Sequence, residues 1–148
     1  MTDLVEKHWP DLVQRKGGLD ALIALPGYAY IATPYTNYPH GHAAAAYDAA
    51  RATAALMRRG ICALSPIAHS HAVGTVGNLS LVDGDFWQHQ DAPLVEAASA
   101  CVVVMLDGWV TSRGTIPRPV NGSTATRVNF SALCTRRYPS AWRASAKT

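Results

Sequence analysis

The residues of this chain best suited to chemistry sit just beyond its apolar runs. Cys101-Val102-Val103-Val104-Met105-Leu106 is an unbroken apolar stretch that stops at Asp107-Gly108-Trp109, and Ser112-Arg113-Gly114 follows closely. In α/β proteins, ligands bind outside the carboxyl ends of parallel strands. A buried strand over this run therefore delivers Asp107, Trp109 and Ser112 to a ligand crevice. A serine hydroxyl beside turn amides, as in Ser112-x-Gly114, can hold an anion, although the same pattern also serves ordinary turns. Asp107 is either a carboxylate at a strand end or half of an Asp-Gly turn. Asp91 stands two residues before Pro93 and reads as a helix N-cap or as a second reactive carboxylate.

Histidines offer a third chemistry. His69-x-His71 resembles half of a metal site, with His89, Asp85, His40 and His42 as conceivable partners. Zinc needs three or four ligands in fixed geometry, and no local motif supplies the rest. No metal and no cofactor is expected, and the pair reads instead as the polar rim of a binding loop. Tyr35, Tyr38, Trp87 and Trp109 fall in loops or at element ends, where aromatic rings either stack on a ligand or cap the core. Walker, dinucleotide-fingerprint and nucleophile-elbow motifs are absent from the sequence, which argues against NTPase, nicotinamide oxidoreductase and α/β-hydrolase chemistry.

These groups must be positioned by a small set of elements. Residues 1–26 read as two short helices, near 3–16 and 19–25, with Pro26-Gly27 closing the second. Residues 28–32 form the first strand, and Thr33-Pro34-Tyr35 turns out of it. Residues 42–59 form an alanine-rich helix in which Tyr47, Ala50, Ala54 and Met57 recur at helical spacing, with Gly60 at its C′ position. Residues 61–64 form the second strand. The interval from first to second strand has the size of a βαβ unit, so the two should run parallel. Ser65 to His71 and the stretch on to about Asp83 read as loop. A helix spans 85–98, with its strong part starting at Asp91 and with Leu94, Val95 and Ala98 facing inward. The third strand covers 101–106. Around one crevice at the strands' carboxyl ends should stand Thr33, Tyr35, His69, Asp91, Asp107, Trp109 and Ser112.

Composition bounds the class. The chain has 148 residues, 49% hydrophobic and 16% charged, which suits one compact domain. Its three cysteines form no Cys-x-x-Cys, and Cys62 and Cys101 read as inert core thiols of a reducing compartment. No signal peptide is visible and the longest apolar run is too short to span a bilayer, so a cytoplasmic location away from membranes is expected. The net charge of +3 divides unevenly. Residues 1–114 carry 7 Lys+Arg against 10 Asp+Glu, whereas residues 115–148 carry 6 Lys+Arg and no acid. The body gives no reason to expect specific nucleic-acid binding. In the basic tail, Thr, Ala, Ser, Arg and Pro make up 22 of 34 residues and no window shows a convincing helical or strand period.

Taken in order, several of these pieces resemble one family. Tyr30-Ile31-Ala32-Thr33-Pro34-Tyr35, Ser65-Pro66-Ile67-Ala68-His69, Asp91-x-x-Leu94 and Gly108-Trp109-x-x-Ser112-x-Gly114 resemble the motifs of the nucleoside 2-deoxyribosyltransferase-like superfamily, closest to the branch labelled DUF1937. The resemblance covers about residues 28–114, leaving 1–27 as a helical extension and 115–148 as a departing tail. It implies a three-layer, flavodoxin-like or Rossmann-like parallel sheet, with the C-terminal part atypical or disordered. It also implies cleavage or transfer at the N-glycosidic bond of a deoxynucleoside or deoxynucleotide, and a homo-oligomer, because members often build the site between subunits. Carried onto this chain, Asp91 matches the aspartate that handles the base or orients the sugar, with Asp107 the other candidate carboxylate. Ser112 and Gly114 match the turn that meets the 5′ group, and Thr33, Tyr35, His69 and Trp109 line the substrate. The attacking glutamate should stand four residues after Gly114, where this chain has Arg118. Arginine is no nucleophile at physiological pH. Either the reading frame changes just after Gly114 or the C-terminus is diverged. The leading reading is an N-glycosidic-bond enzyme weakened at Arg118, the next a catalytically silent nucleotide-binding or interaction module, and the third a metal-dependent hydrolase using His69 and His71.

Overall fold

A computed structural model describes residues 19–112 and the backbone of residues 124–128. After a short helix α1 (Asp20–Ile23) come β1 (Ala29–Ala32), α2 (His42–Arg58), β2 (Ala63–Leu64), α3 (Pro66–Gly77), α4 (Gly84–Ala97), β3 (Ala100–Val104), a 3₁₀ turn (Trp109–Thr111) and β4 (Thr124–Val128). All strand pairings are parallel. Ala29 lies opposite both Ala63 and Ala100, and Ala100 lies opposite Thr124, which gives the order β2-β1-β3-β4. That order is the beginning of the flavodoxin-like, doubly wound arrangement.

The strands are apolar because helices cover both of their faces. Ile31, Val102 and Val104 point one way and pack with Ala45, Ala52 and Leu56 of α2. Tyr30, Ala32, Cys101 and Val103 point the other way, and Leu94, Val95 and Ala98 of the α4 segment pack on them together with Trp109. Alternation along a strand thus produces the three layers. Ile31, Leu56, Val102 and Val104 are fully buried. Each contributes roughly 1.5–3 kcal/mol of hydrophobic stabilisation. The alanine face of α2 lets the helix lie close to the sheet. Gly60 ends the helix cleanly, at a φ of +87° that a side chain would resist.

Four expectations need correction. The stretch after β2 is a helix, not a loop: Ser65 is its N-cap, accepting from the Ala68 N–H at 3.1 Å, and Pro66 takes the first helical position. The helix expected over 85–98 is present, but Asp91 is not an N-cap within it. The helix starts at Gly84 with Asp83 as N-cap, and Pro93 lies inside it, forfeiting one backbone hydrogen bond. Cys62 is exposed rather than buried: it stands just before the two-residue edge strand β2. The tail supplies β4, where β-branched Thr124, Thr126 and Val128 alternate although little of the segment is apolar. Cys101 is buried as expected, and burial pushes its thiol up to about 12. The reading of residues 3–16 lies outside the described residues. Among the described residues, no helix is long and apolar enough to cross a membrane.

Candidate functional site

Successive connections take β2 to one side of β1 and β3 to the other, so the strand order reverses beside β1. Such a switch point leaves a crevice at the carboxyl ends of the strands. A cavity of about 590 Å³ opens there, a volume that fits a small organic ligand. Its floor is β1 and its continuation, with Tyr30, Tyr35 and Asn37; one wall is the first half of α3; the other is the segment leading into α4; and Thr111 and Ser112 close it after β3.

Helical phase decides which side chains enter. On α3, Ile67, Ser70 and His71 line the cavity at the spacing of one helical face. On α4, Gly84, Trp87, Gln88 and Asp91 form a second such stripe. Trp87 is held by its indole N–H, which donates to the Ser80 carbonyl at 2.8 Å, and by an edge-on contact with Phe86. Gly74 lets α3 approach this wall: a Cβ there would lie 2.5 Å from Leu81 Cδ2 and 3.2 Å from Trp87 Cζ2.

Two polar pairs stand in the cavity. The Tyr30 hydroxyl donates to Asp91 Oδ2 across 3.5 Å, a long bond that leaves the carboxyl free for a stronger partner. Burial raises the Asp91 carboxyl above its usual range, and the Tyr30 hydrogen bond and the nearby His69 offset part of that rise. Burial, and then the Asp91 charge, push the Tyr30 phenol far up, so it remains a hydrogen-bond donor. In the second pair, the Tyr35 hydroxyl and His71 Nδ1 are 2.7 Å apart, and His42 stacks on the Tyr35 ring at 4.6 Å. Burial raises the Tyr35 phenol as well.

Of the residues singled out from sequence, Tyr35, His71, Asp85, Trp87, Asp91 and Ser112 line this one cavity. His69 is exposed and outside the lining, yet close enough to Asp91 to act on its charge. Thr33 is outside the lining, fully buried, and its Oγ1 has no hydrogen-bond partner. Trp109 is buried in the cluster under α4. Asp107 is outside the lining: its side chain is 75% exposed and faces His40 Nε2 at 3.3 Å on the surface. Gly114 and Arg118 lie outside the described residues. His69 and His71 stand about 200° apart around α3, so they do not form a paired metal half-site. No group of three or more His, Cys, Asp or Glu that could hold a metal ion occurs among the described residues.

Sequence reading passed over Tyr30 and Gln88 as contributors to the lining, and it placed His71 on a loop rim rather than on a helix. Ser65-Pro66 was the available signal for His71, since an N-cap serine followed by proline announces a helix on which Ile67, Ser70 and His71 share a face. Nothing in the sequence announces the Tyr30–Asp91 pair, whose members are 61 residues apart.

No curated protein and no solved structure matches the chain. A family described as "Domain of unknown function (DUF1937)" matches it over residues 27–130, a span that holds every described element from β1 to β4. With most of its length matched, including both walls of the cavity, the chain belongs to the DUF1937 family.

Proposed function

We propose that the cavity binds a 2′-deoxynucleoside or its 5′-monophosphate, and that the domain is of the N-glycosidic-bond type, with Asp91 as the carboxyl that meets the base. The observation carrying this reading is the partly buried Asp91, raised by burial and held by Tyr30 in a cavity of nucleoside size. A carboxyl whose proton is retained to higher pH can donate to a ring nitrogen of the base, and its ionised form can accept from an exocyclic amine. Trp87 and Tyr35 offer rings at the walls, and Ser112 offers a hydroxyl. The resemblance to nucleoside 2-deoxyribosyltransferase-like proteins agrees with this arrangement. The reading also implies a small-molecule partner in the cytoplasm rather than a nucleic acid or a membrane.

Arg118 favours a second reading, in which the domain binds but hardly cleaves. Glycosyl transfer through a covalent intermediate needs a carboxylate at the anomeric carbon, and the resemblance assigns that position to Arg118. Calorimetric titration with 2′-deoxynucleosides and their monophosphates, alongside chromatographic assay of free base, separates the two. Binding that Asp91→Asn weakens, with little base released, is the expected result. Rapid release abolished by Asp91→Asn would make Asp91 itself the reacting group. If neither ligand class binds, the proposal fails.

A further inference from the structure

We infer that the cavity selects an uncharged nucleoside over its 5′-monophosphate, because carboxyl groups outnumber basic groups in its described lining. The inference rests on the nucleoside-binding reading above and narrows it. Asp83, Asp85 and Asp91 all line the cavity, whereas His71 is the single basic residue among its described lining residues and its Nδ1 is already engaged by Tyr35. A 5′-monophosphate brings about −1.5 to −2 charges at neutral pH.

One amide at each of the two nearby helix N-termini, where a phosphate would ordinarily be welcomed, is also occupied. Helix N-termini attract anions through their free N–H groups and the helix dipole. At α4 that end is answered by its own acids: Asp83 Oδ1 accepts from the Phe86 N–H at 3.1 Å, and Asp85 lies in the first turn. At α3 the Ser65 hydroxyl takes the Ala68 N–H. Among the described lining residues, Ser70, Gln88 and Ser112 add neutral hydrogen-bonding capacity, which suits hydroxyl groups.

The test is calorimetric titration of the full chain with the four common 2′-deoxynucleosides and, separately, their 5′-monophosphates, at low and at raised salt. The nucleoside of the preferred base should bind about tenfold more tightly than its monophosphate at low salt. Added salt should narrow the gap by screening the carboxylates, while nucleoside affinity stays level. The double variant Asp83→Asn/Asp85→Asn keeps an N-cap side chain, so the fold should persist, and it should shrink the ratio of the two affinities several-fold. A monophosphate that binds as tightly as the nucleoside, or whose binding weakens with salt, would overturn the inference by showing that cations hold the phosphate. If neither ligand binds, the nucleoside reading itself falls, and this inference with it.

Discussion

Helix α2 and the α3–α4 pair cover the same sheet in different ways. Six residues of α2 are buried, two of α3 and none of α4. Alanines bring α2 down onto β1 and β3, whereas α3 and α4 stand off far enough to leave a cavity between them. Val73, Val76, Val82 and Phe86 remain exposed on that side. Burial is the dominant favourable term in folding, so the packing of α2 on β1 and β3 carries most of the stability of the described domain. The wall instead depends on local devices: the Ser65 and Asp83 caps, the Trp87 indole bond and the close approach at Gly74. Segments with few buried contacts open most readily, and binding walls are commonly drawn from them.

The contrast can be broken most sharply at Leu56. Leu56→Ala should cost about 2–5 kcal/mol by denaturant unfolding, whereas Val76→Ser, at a residue 89% exposed, should stay within about 0.5 kcal/mol. Similar costs at the two sites would erase the distinction between scaffold and wall. Gly74→Val comes next. Its methyl groups would be forced into Leu81 and the Trp87 indole, at a cost of about 1–3 kcal/mol. The same variant should change Trp87 fluorescence, and an unchanged spectrum would show that the wall does not depend on this approach. Ser65→Ala removes one cap and should cost about 1 kcal/mol. Its faster amide exchange should be confined to the start of α3.

The smallest effect concerns pH and Asp91. The folded state raises this carboxyl above 3.8. Folding therefore favours the protonated form, and the stability from that proton is fully present below the unfolded pKa and lost as pH rises through the folded one. Relative to Asp91→Asn, the wild type should lose stability as pH climbs from about 4 upward. A difference that is flat, or that grows with pH, would mean that burial does not dominate at this carboxyl.

Short-range pattern made the scaffold legible. Apolar runs near 28–32, 61–64 and 101–106 each hold a strand, the alanine-rich period holds α2, and the length of the β1–α2–β2 unit implies the parallel pairing. The wall was harder to read because its signals compete. Pro93 suits a helix start, yet the Asp83 cap begins the helix two turns earlier and tertiary packing of Leu94 and Val95 carries it through. His69-x-His71 presents both rings on one side if extended, but in α3 only His71 turns inward.

Local sequence alone thus determined where β1, β2 and β3 lie and that 42–59 is helical, since those properties follow from periods of two and 3.6 residues; it did not set the phase of α2, whose stripe of Tyr47, Ala50 and Met57 faces solvent, nor the place of β4. Tertiary structure decided which polar groups meet. Sheet order set Tyr30 beside Asp91 and left Asp107 on the surface, and helical phase chose His71 over His69 for the lining. Convergence of this kind depends on how distant elements are stacked and rotated, and no local period encodes that.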